Sequence, residues 1–534
     1  MSSSHPIPSK APSEKPGVTI VPPRPGPVHW ALVIAALAAF GWLYLWLAGI
    51  LIATTNQNPV AQDQKNNMRQ ALYHRTTLRP DFSHGVTDAL TRWLPHLTDG
   101  VVGPLWPWVA AHFARADHVI EEETFQTNTV ADLHFFLRGK WVNVGVCGIF
   151  LAGLVFSCGR RFSVLGTVNL MLLAGLGALL PRAVYFQPEP IYFCLFFMCW
   201  ALALRMLEQN PLRFYAMLGL GCGLAFLAKT SIQPLIAAWF AAMGLRFLGC
   251  ALPGRWKAAN DKWHPRHHVI GTLLFAVIFL LTVGPRLAFA HDRWGRPFFA
   301  YPNVWMWMDD FKTCFAWMQA HPDKASLDAV SADQWPSFAN YRRTHTPEEM
   351  SQRLRDGTHE KVTGFLFPKR AGNDGGTEEN PWKHLLEWRG AFLGGTALIF
   401  LSVCAATLGR TKKVAPPLIA PWIKKPGVEM PPAVDWATPT GQTAFVMGVV
   451  AASVLAYGWY TPIGRGDRFM LSLYLPLVFT FIWAAEKRLH RYDRQHRALA
   501  LRWTYAGLHA VLLSALLWRI SEIVSRPCFD PAVR

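Results

Sequence analysis

Residues 30–53 read WALVIAALAAFGWLYLWLAGILIA, an apolar run that contains no charged residue. A helix of about 20 apolar residues is long enough to cross the hydrocarbon core of a bilayer. The run is also longer than the roughly 7–15 apolar residues of a signal peptide. It therefore predicts an uncleaved first transmembrane helix, and the Pro- and Ser-rich tail over 1–29 is expected to be cytoplasmic and disordered.

Composition extends this prediction to the whole chain. Of its 534 residues, 51% are hydrophobic and only 16% are charged, whereas charged residues make up about a quarter of a typical soluble domain. The sequence predicts an all-α polytopic membrane protein with about eleven spanning helices. We place them near 30–53, 140–157, 163–181, 191–207, 213–228, 232–249, 269–289, 390–408, 442–460, 469–485 and 502–520.

The basic residues set the expected orientation. The formal net charge is +18, but Lys and Arg collect in alternate loops between apolar runs, which indicates cytoplasmic loops rather than a nucleic-acid surface. We therefore predict a multi-pass protein of the inner (plasma) membrane with a cytoplasmic N-terminus. Its N-terminal transmembrane module spans 30–289 and includes a first large extracytoplasmic loop, 54–139. A second loop region follows at 290–389, and C-terminal helices occupy 390–534.

Ionisable residues concentrate where the predicted helices meet the outer surface, and His509 is the clear exception within a span. Ion-coupled transporters place acids and bases inside the membrane, so this pattern favours a site at the membrane–water boundary. There, cations can bind a lipid phosphate, and a carboxylate can take a proton from a hydroxyl. The residues at this boundary are Asp63, Arg182, Glu189, Lys229, Arg286, Asp292, Arg293, Arg465, Asp467 and Arg468.

The polar stretch after the first span carries a family resemblance. Its segment QDQKNNMRQAL, residues 62–72, contains one acid, Asp63. It resembles the start of the first outer loop in GT-C fold glycosyltransferases, the group that includes the protein O-mannosyltransferases and the aminoarabinose transferase acting on lipid A. The resemblance implies that Asp63 is the catalytic base. Gln64 stands where that group often has a second acid, so a metal role at Asp63 is not implied.

Four further segments resemble the same group, and together they cover most of the chain after the tail. LLPRAVYFQPEPIYF (179–193) implies a second catalytic acid at Glu189 and a cation at Arg182. GLAFLAKTSIQP (223–234) and GRGDRFMLSLYLPLVF (464–479) imply that Lys229 and Arg468 bind the donor phosphate. DGVVGPLWPWVAAHF (99–113) resembles a Pro-rich segment of the first loop. The implied fold is a GT-C-like helical bundle with two large extracytoplasmic loops.

Each of these residues also has a simpler interpretation. Asp63 and Glu189 could cap helices, since Asp is a strong N-cap residue. Lys229 could be an anchor whose ammonium reaches the membrane surface. Arg468 could pair with Asp467 at the surface, where an ion pair contributes only about 0–1 kcal/mol.

The most unusual segment is GRPFFAYPNVWMWMDDF, residues 295–311. Tyr301, Trp305, Asp309 and Asp310 could contact a sugar or the acceptor, although an interfacial aromatic belt explains the Trp residues equally well. Paired acids can bind a divalent cation, but adjacent acids are common on ordinary surfaces. We therefore predict no metal and no cofactor. A divalent cation is left open, although no feature of the sequence indicates one. We favour a structural role for this segment.

These patterns predict an inverting membrane glycosyltransferase. Its donor would be a polyprenyl-phosphate-linked sugar, and its acceptor a hydroxyl of a glycan, lipid or protein at the extracytoplasmic face. Membrane lipids are expected partners and nucleic acid is not. The alternatives are a multispanning transporter or flippase for a lipid-linked glycan, or a non-catalytic membrane assembly protein. Separately, the sequence leaves open a disulfide between Cys314 and Cys528, since both lie in expected outer loops.

The orientation can be tested with single cysteines introduced into a cysteine-free background. Labels placed within 320–380 should react with an impermeant reagent added outside intact cells, and labels within 412–425 should not, because the second segment is rich in Lys. Reversed labelling would put the proposed site on the cytoplasmic side.

Overall fold

The computed structural model describes residues 26–55, 57–59, 63–77, 93–114, 129–251, 263–367, 388–408, 437–464, 469–493 and 498–525. The described residues form helices and turns and contain no strand, so the all-α class is confirmed. Nine of their helices are long and apolar enough to cross a membrane. These are the helices of a polytopic membrane protein.

We number the helices of the described residues in chain order. They are α1 (Pro27–Thr54), α2 (Gln64–Thr77), α3 (Leu105–Ala111), α4 (Thr129–Cys158), α5 (Val164–Ala183), α6 (Glu189–Met206), α7 (Leu212–Ala228), α8 (Gln233–Ala251), α9 (Pro265–Trp294), α10 (Tyr301–Trp305), α11 (Phe311–Ala320), α12 (Lys324–Asp328), α13 (Phe338–Thr344), α14 (Pro347–Leu366), α15 (Arg389–Leu408), α16 (Ala437–Trp459), α17 (Tyr474–Asp493) and α18 (Ala498–Val524).

Two of the eleven predicted spans do not belong to the nine. The stretch predicted at 213–228 forms α7, which is apolar but has only 17 residues. The stretch predicted at 469–485 begins with a 3-10 turn, Leu471–Leu473, before α17. The second half of α17 contains Glu486, Lys487 and Arg488, so its apolar part is short. The count of eleven spans therefore remains a prediction.

The start of α4 differs from the sequence prediction. The segment VADLHFFLRGKW (residues 130–141), which leads into the span predicted at 140–157, belongs to the same continuous helix as that span. Lys140 is fully buried within this helix, and its charge is accommodated because Nζ donates to the carbonyl of Thr55 at 3.2 Å. Thr55 caps the C-terminus of α1, and a helix C-terminus is a favourable place for a cation.

Small residues explain how the short α7 packs within the bundle. A Cβ atom on Gly219 would lie 2.7 Å from the carbonyl oxygen of Phe275 in α9, and one on Gly223 would lie 2.7 Å from the side chain of Thr282. Glycines one turn apart let two helix backbones approach closely, which is a recurrent mode of packing in membranes. As a result, α7 packs tightly along α9.

The helices between α9 and α15 form a cap over one end of the bundle. Its own aromatic core includes Trp294, Phe299, Tyr301 and Trp305. Within the cap, α14 lies against α16, and the two backbones almost touch at Gly357 and Gly458. A Cβ atom on Gly357 would lie 1.9 Å from the carbonyl oxygen of Gly458.

This contact predicts a difference between two glycines of α14. Gly357→Ala forces α14 away from α16 and should lower stability by about 1–3 kcal/mol, the usual effect of overpacking. Gly364→Ala meets no atom within 4 Å and should be neutral or stabilising by about 0.5–1 kcal/mol, because alanine favours helix. Thermal unfolding in detergent measures both, and equal midpoints for the two variants would contradict the contact.

Candidate functional site

A cavity of about 1120 Å³ lies where the ends of several helices meet the cap. Asp63, Glu189, Lys229, Tyr301 and Trp305 all contribute to its lining. They come from four separate stretches of the sequence, each predicted to reach the same end of the bundle. The structure therefore brings together five of the nine site residues predicted from the sequence.

Asp63 stands immediately before α2. Its backbone carbonyl accepts the amide N–H of Asn67 at 3.1 Å and also the side-chain amide of Asn67 at 2.8 Å. The backbone carbonyl of an N-cap residue accepts the first intrahelical hydrogen bond, so Asp63 occupies the N-cap position of α2. The side chain is partly buried and lines the cavity, so a capping position and an approach to a ligand are compatible here.

Gln64 shows why this position carries an amide rather than a second acid. Its side chain is fully buried, and Oε1 accepts the backbone N–H of Phe186 at 3.0 Å. Its Nε2 donates to the carbonyl of Asn58 at 3.3 Å. An ionised carboxylate accepts hydrogen bonds but cannot donate, so an acid at this position would lose the second bond. Gln64 thus joins the start of α2 to the connection between α5 and α6.

Glu189 and Lys229 form an ion pair at the cavity wall. Glu189 is the first residue of α6, where the helix dipole favours a carboxylate. Lys229 follows the last residue of α7 in an extended conformation, and its Nζ lies 3.1 Å from Oε1 of Glu189. The ammonium also lies 4.9 Å from the centre of the Phe469 ring. The pair fixes both helix ends beside the cavity.

The loop 97–103 also lines the cavity and was not assigned to the site from the sequence. Oδ1 of Asp99 accepts the backbone N–H groups of Val101 and Val102 at 2.9 and 2.8 Å, and burial raises the pKa of the Asp99 carboxyl. Gly100 adopts φ +85°, and its carbonyl accepts the N–H of Tyr301 at 2.9 Å. This loop therefore sets the position of the aromatic wall. In the sequence, Asp99 followed by glycine indicates a turn here, within the segment 99–113 that resembles the Pro-rich part of the first loop.

The paired acids of the cap do not line the cavity. Asp309 accepts hydrogen bonds from Arg353 at 3.1 Å and from the hydroxyl of Tyr341 at 2.9 Å. Asp310 caps α11, accepting the N–H and hydroxyl of Thr313, and these bonds lower its pKa. Both acids therefore form hydrogen bonds within the cap, whereas Tyr301 and Trp305 of the same segment line the cavity.

The other residues singled out from the sequence differ in their relation to the cavity. Arg182 does not line the cavity, and its guanidinium lies 5.9 Å from the centre of the Tyr185 ring. Arg468 and Cys528 lie outside the described residues. Cys314 is buried in the cap, and burial raises its pKa to about 12. Arg286 and Arg293 do line the cavity, although the sequence placed them only at the membrane boundary.

No protein-family model matches this chain, and no curated protein matches it.

The ion pair predicts non-additive effects on stability. Lys229→Ala removes the ammonium partner of a carboxylate whose side chain is only 4% exposed and should cost up to about 3 kcal/mol. The double variant with Glu189→Gln should recover part of this loss, because no buried charge then lacks its partner. Unfolding of the single and double variants in detergent measures the coupling, and a double variant less stable than Lys229→Ala would contradict it.

Proposed function

We propose that this chain is an integral membrane glycosyltransferase of the GT-C type, with eleven spans and a site on the extracytoplasmic face. It would transfer a sugar from a polyprenyl-phosphate-linked donor to a hydroxyl acceptor. The observation that carries the proposal is the shared cavity of Asp63, Glu189 and Lys229. These residues belong to three separate segments that resemble GT-C fold glycosyltransferases. In each segment, the resemblance implies a catalytic or phosphate-binding role for the residue.

The proposed reaction is a direct displacement at the anomeric carbon. The Asp63 carboxylate takes the proton of the acceptor hydroxyl as its oxygen attacks. The new C–O bond forms as the bond from the anomeric carbon to the phosphate oxygen breaks, and the lipid phosphate leaves with the electron pair. A single in-line step inverts the anomeric centre. Preorganised cations, with Lys229, Arg468 and Arg182 as the sequence-based candidates, would stabilise the charge on the leaving phosphate.

The size of the cavity supports a reaction between two bound substrates. Pockets for a single small molecule usually measure about 300–1,000 Å³, and this cavity is larger. Its lining combines carboxylates and cations with the aromatic rings of Tyr301, Trp305 and Phe315. The charged groups suit a sugar phosphate, and the rings suit an acceptor with an apolar or ring face.

Of the predicted acids, Asp63 is the better base. Glu189 is engaged with Lys229 at 3.1 Å, and protonating it would weaken that ion pair. Glu189 then acts by holding the Lys229 ammonium in place. Phe469, the neighbour of Arg468 in the sequence, lines the cavity beside Lys229, which supports keeping Arg468 among the phosphate-binding candidates.

The role of Asp63 can be separated from capping. Asp63→Asn keeps the shape of the side chain but removes its basicity, and Asn is as good an N-cap as Asp. We expect normal folding and donor binding, with turnover reduced by about 10²–10⁴-fold. The assay follows release of polyprenyl phosphate from a panel of polyprenyl-phosphate sugars by the purified protein.

Asp292→Asn is the matched control. Its carboxylate is 84% exposed, near the end of α9, and does not line the cavity, so turnover should equal that of the parent. Transfer by Asp63→Asn within a few-fold of the parent would show that Asp63 is not the base. Release by the parent from none of the donors would count against the glycosyltransferase itself.

A further inference from the structure

Arg286 is a buried cation in the wall of the cavity. It follows Pro285 near the end of α9, and only 3% of its surface is exposed. Its two terminal nitrogens donate to the carbonyls of Pro297 and Phe299 at 3.2 and 2.6 Å. No carboxylate among the described residues pairs with it. A positive charge therefore borders the cavity, and its described partners are two backbone carbonyls and the Phe226 ring, whose centre lies 5.8 Å from the guanidinium.

Two other cations at or near the cavity differ from Arg286 because each has a carboxylate partner. Lys229 has Glu189 at 3.1 Å, and Arg353 has Asp309 at 3.1 Å. Removing a charge from water is unfavourable unless a counter-charge and hydrogen bonds offset the lost hydration. Two carbonyls offset only part of this cost, and a guanidinium has more N–H donors than these two bonds use. The wall at Arg286 is thus a part of the cavity that favours an anion more than the ion-paired Lys229 does.

Arg293 adds a second cation on the same helix. It lies two turns beyond Arg286, so the two side chains share a face of α9, and both line the cavity. Two guanidinium groups suit an anion with several oxygens, and Arg binds phosphate with paired N–H···O bonds. A carboxylate has one charge and two oxygens and would use this wall less completely.

We propose that Arg286, assisted by Arg293, is the phosphate-binding centre of the cavity, in place of the ion-paired Lys229. The ligand is a phosphate ester, from either a membrane-anchored lipid or a water-soluble compound. For the lipid donor, this assignment rests on the proposed glycosyltransferase function and places the leaving phosphate at the wall formed by α9. Binding of a phosphate needs no sugar transfer, so it is measured independently of turnover.

The test measures ligand affinity of the purified full chain in detergent, from the shift of its thermal unfolding midpoint. Farnesyl phosphate represents a lipid phosphate, inorganic phosphate a water-soluble one, and farnesol the uncharged tail. Arg286→Gln should weaken binding of farnesyl phosphate by roughly ten- to hundredfold, and Arg286→Lys by less, because the charge remains. Farnesol binding should not change. Stabilisation by inorganic phosphate alone would indicate a water-soluble ligand, and stabilisation only by farnesyl phosphate a lipid.

Arg296→Gln is the matched control, since Arg296 is exposed, lies 3.8 Å from the centre of the Trp335 ring and does not line the cavity. Its affinity should equal that of the parent. Because Arg286 also holds two carbonyls, Arg293→Gln provides a second measurement at an exposed position and should weaken binding several-fold. Parent-like affinity in every folded variant of Arg286 and Arg293 overturns the proposal. Phosphate binding that depends on Arg286, with no sugar transfer from any donor, supports it and contradicts only the proposed function.

Discussion

A bilayer offers no hydrogen-bond partner to the backbone, so a chain crosses it as helices and leaves helical structure only where protein or water satisfies the freed groups. In this protein, charged side chains satisfy irregular backbone beside the cavity. The Asp99 carboxylate accepts two N–H groups of its own loop, and Arg286 donates to two carbonyls beyond the end of α9. Charged groups that line the cavity therefore also order the backbone around it.

The spanning helices were largely predictable, because apolar composition and length are local properties of the sequence. The first span, expected at 30–53, is Pro27–Thr54. The helix that contains the span predicted at 140–157 begins earlier, at Thr129, and continues through Lys140. The ammonium of Lys140 donates to the carbonyl of Thr55, 85 residues earlier in the chain. A hydropathy pattern does not show hydrogen-bond partners that are so far apart in the sequence.

The site was predictable where a charged residue adjoins the end of an apolar helix. Glu189 and Lys229 stand at such ends, and both line the cavity with Asp63. The sequence could not separate them from Asp309, which has a similar setting but pairs with Arg353, 44 residues later. Nor could it show that, among the described residues, Lys229 has a carboxylate partner and Arg286 has none. Both distinctions depend on packing between segments far apart in sequence.

The placement of acids around Asp63 limits the chemistry the cavity can perform. Gln64 must donate as well as accept to hold Asn58 and Phe186, so a carboxylate cannot replace it without loss. Asp99 already uses one oxygen to order its loop, and Glu189 is held by Lys229. Each neighbouring acid therefore has a structural partner within its own wall. In the proposed reaction the proton acceptor is Asp63, and the next position in the sequence holds Gln64 rather than a second acid. The same cavity contains two cations of α9, Arg286 and Arg293.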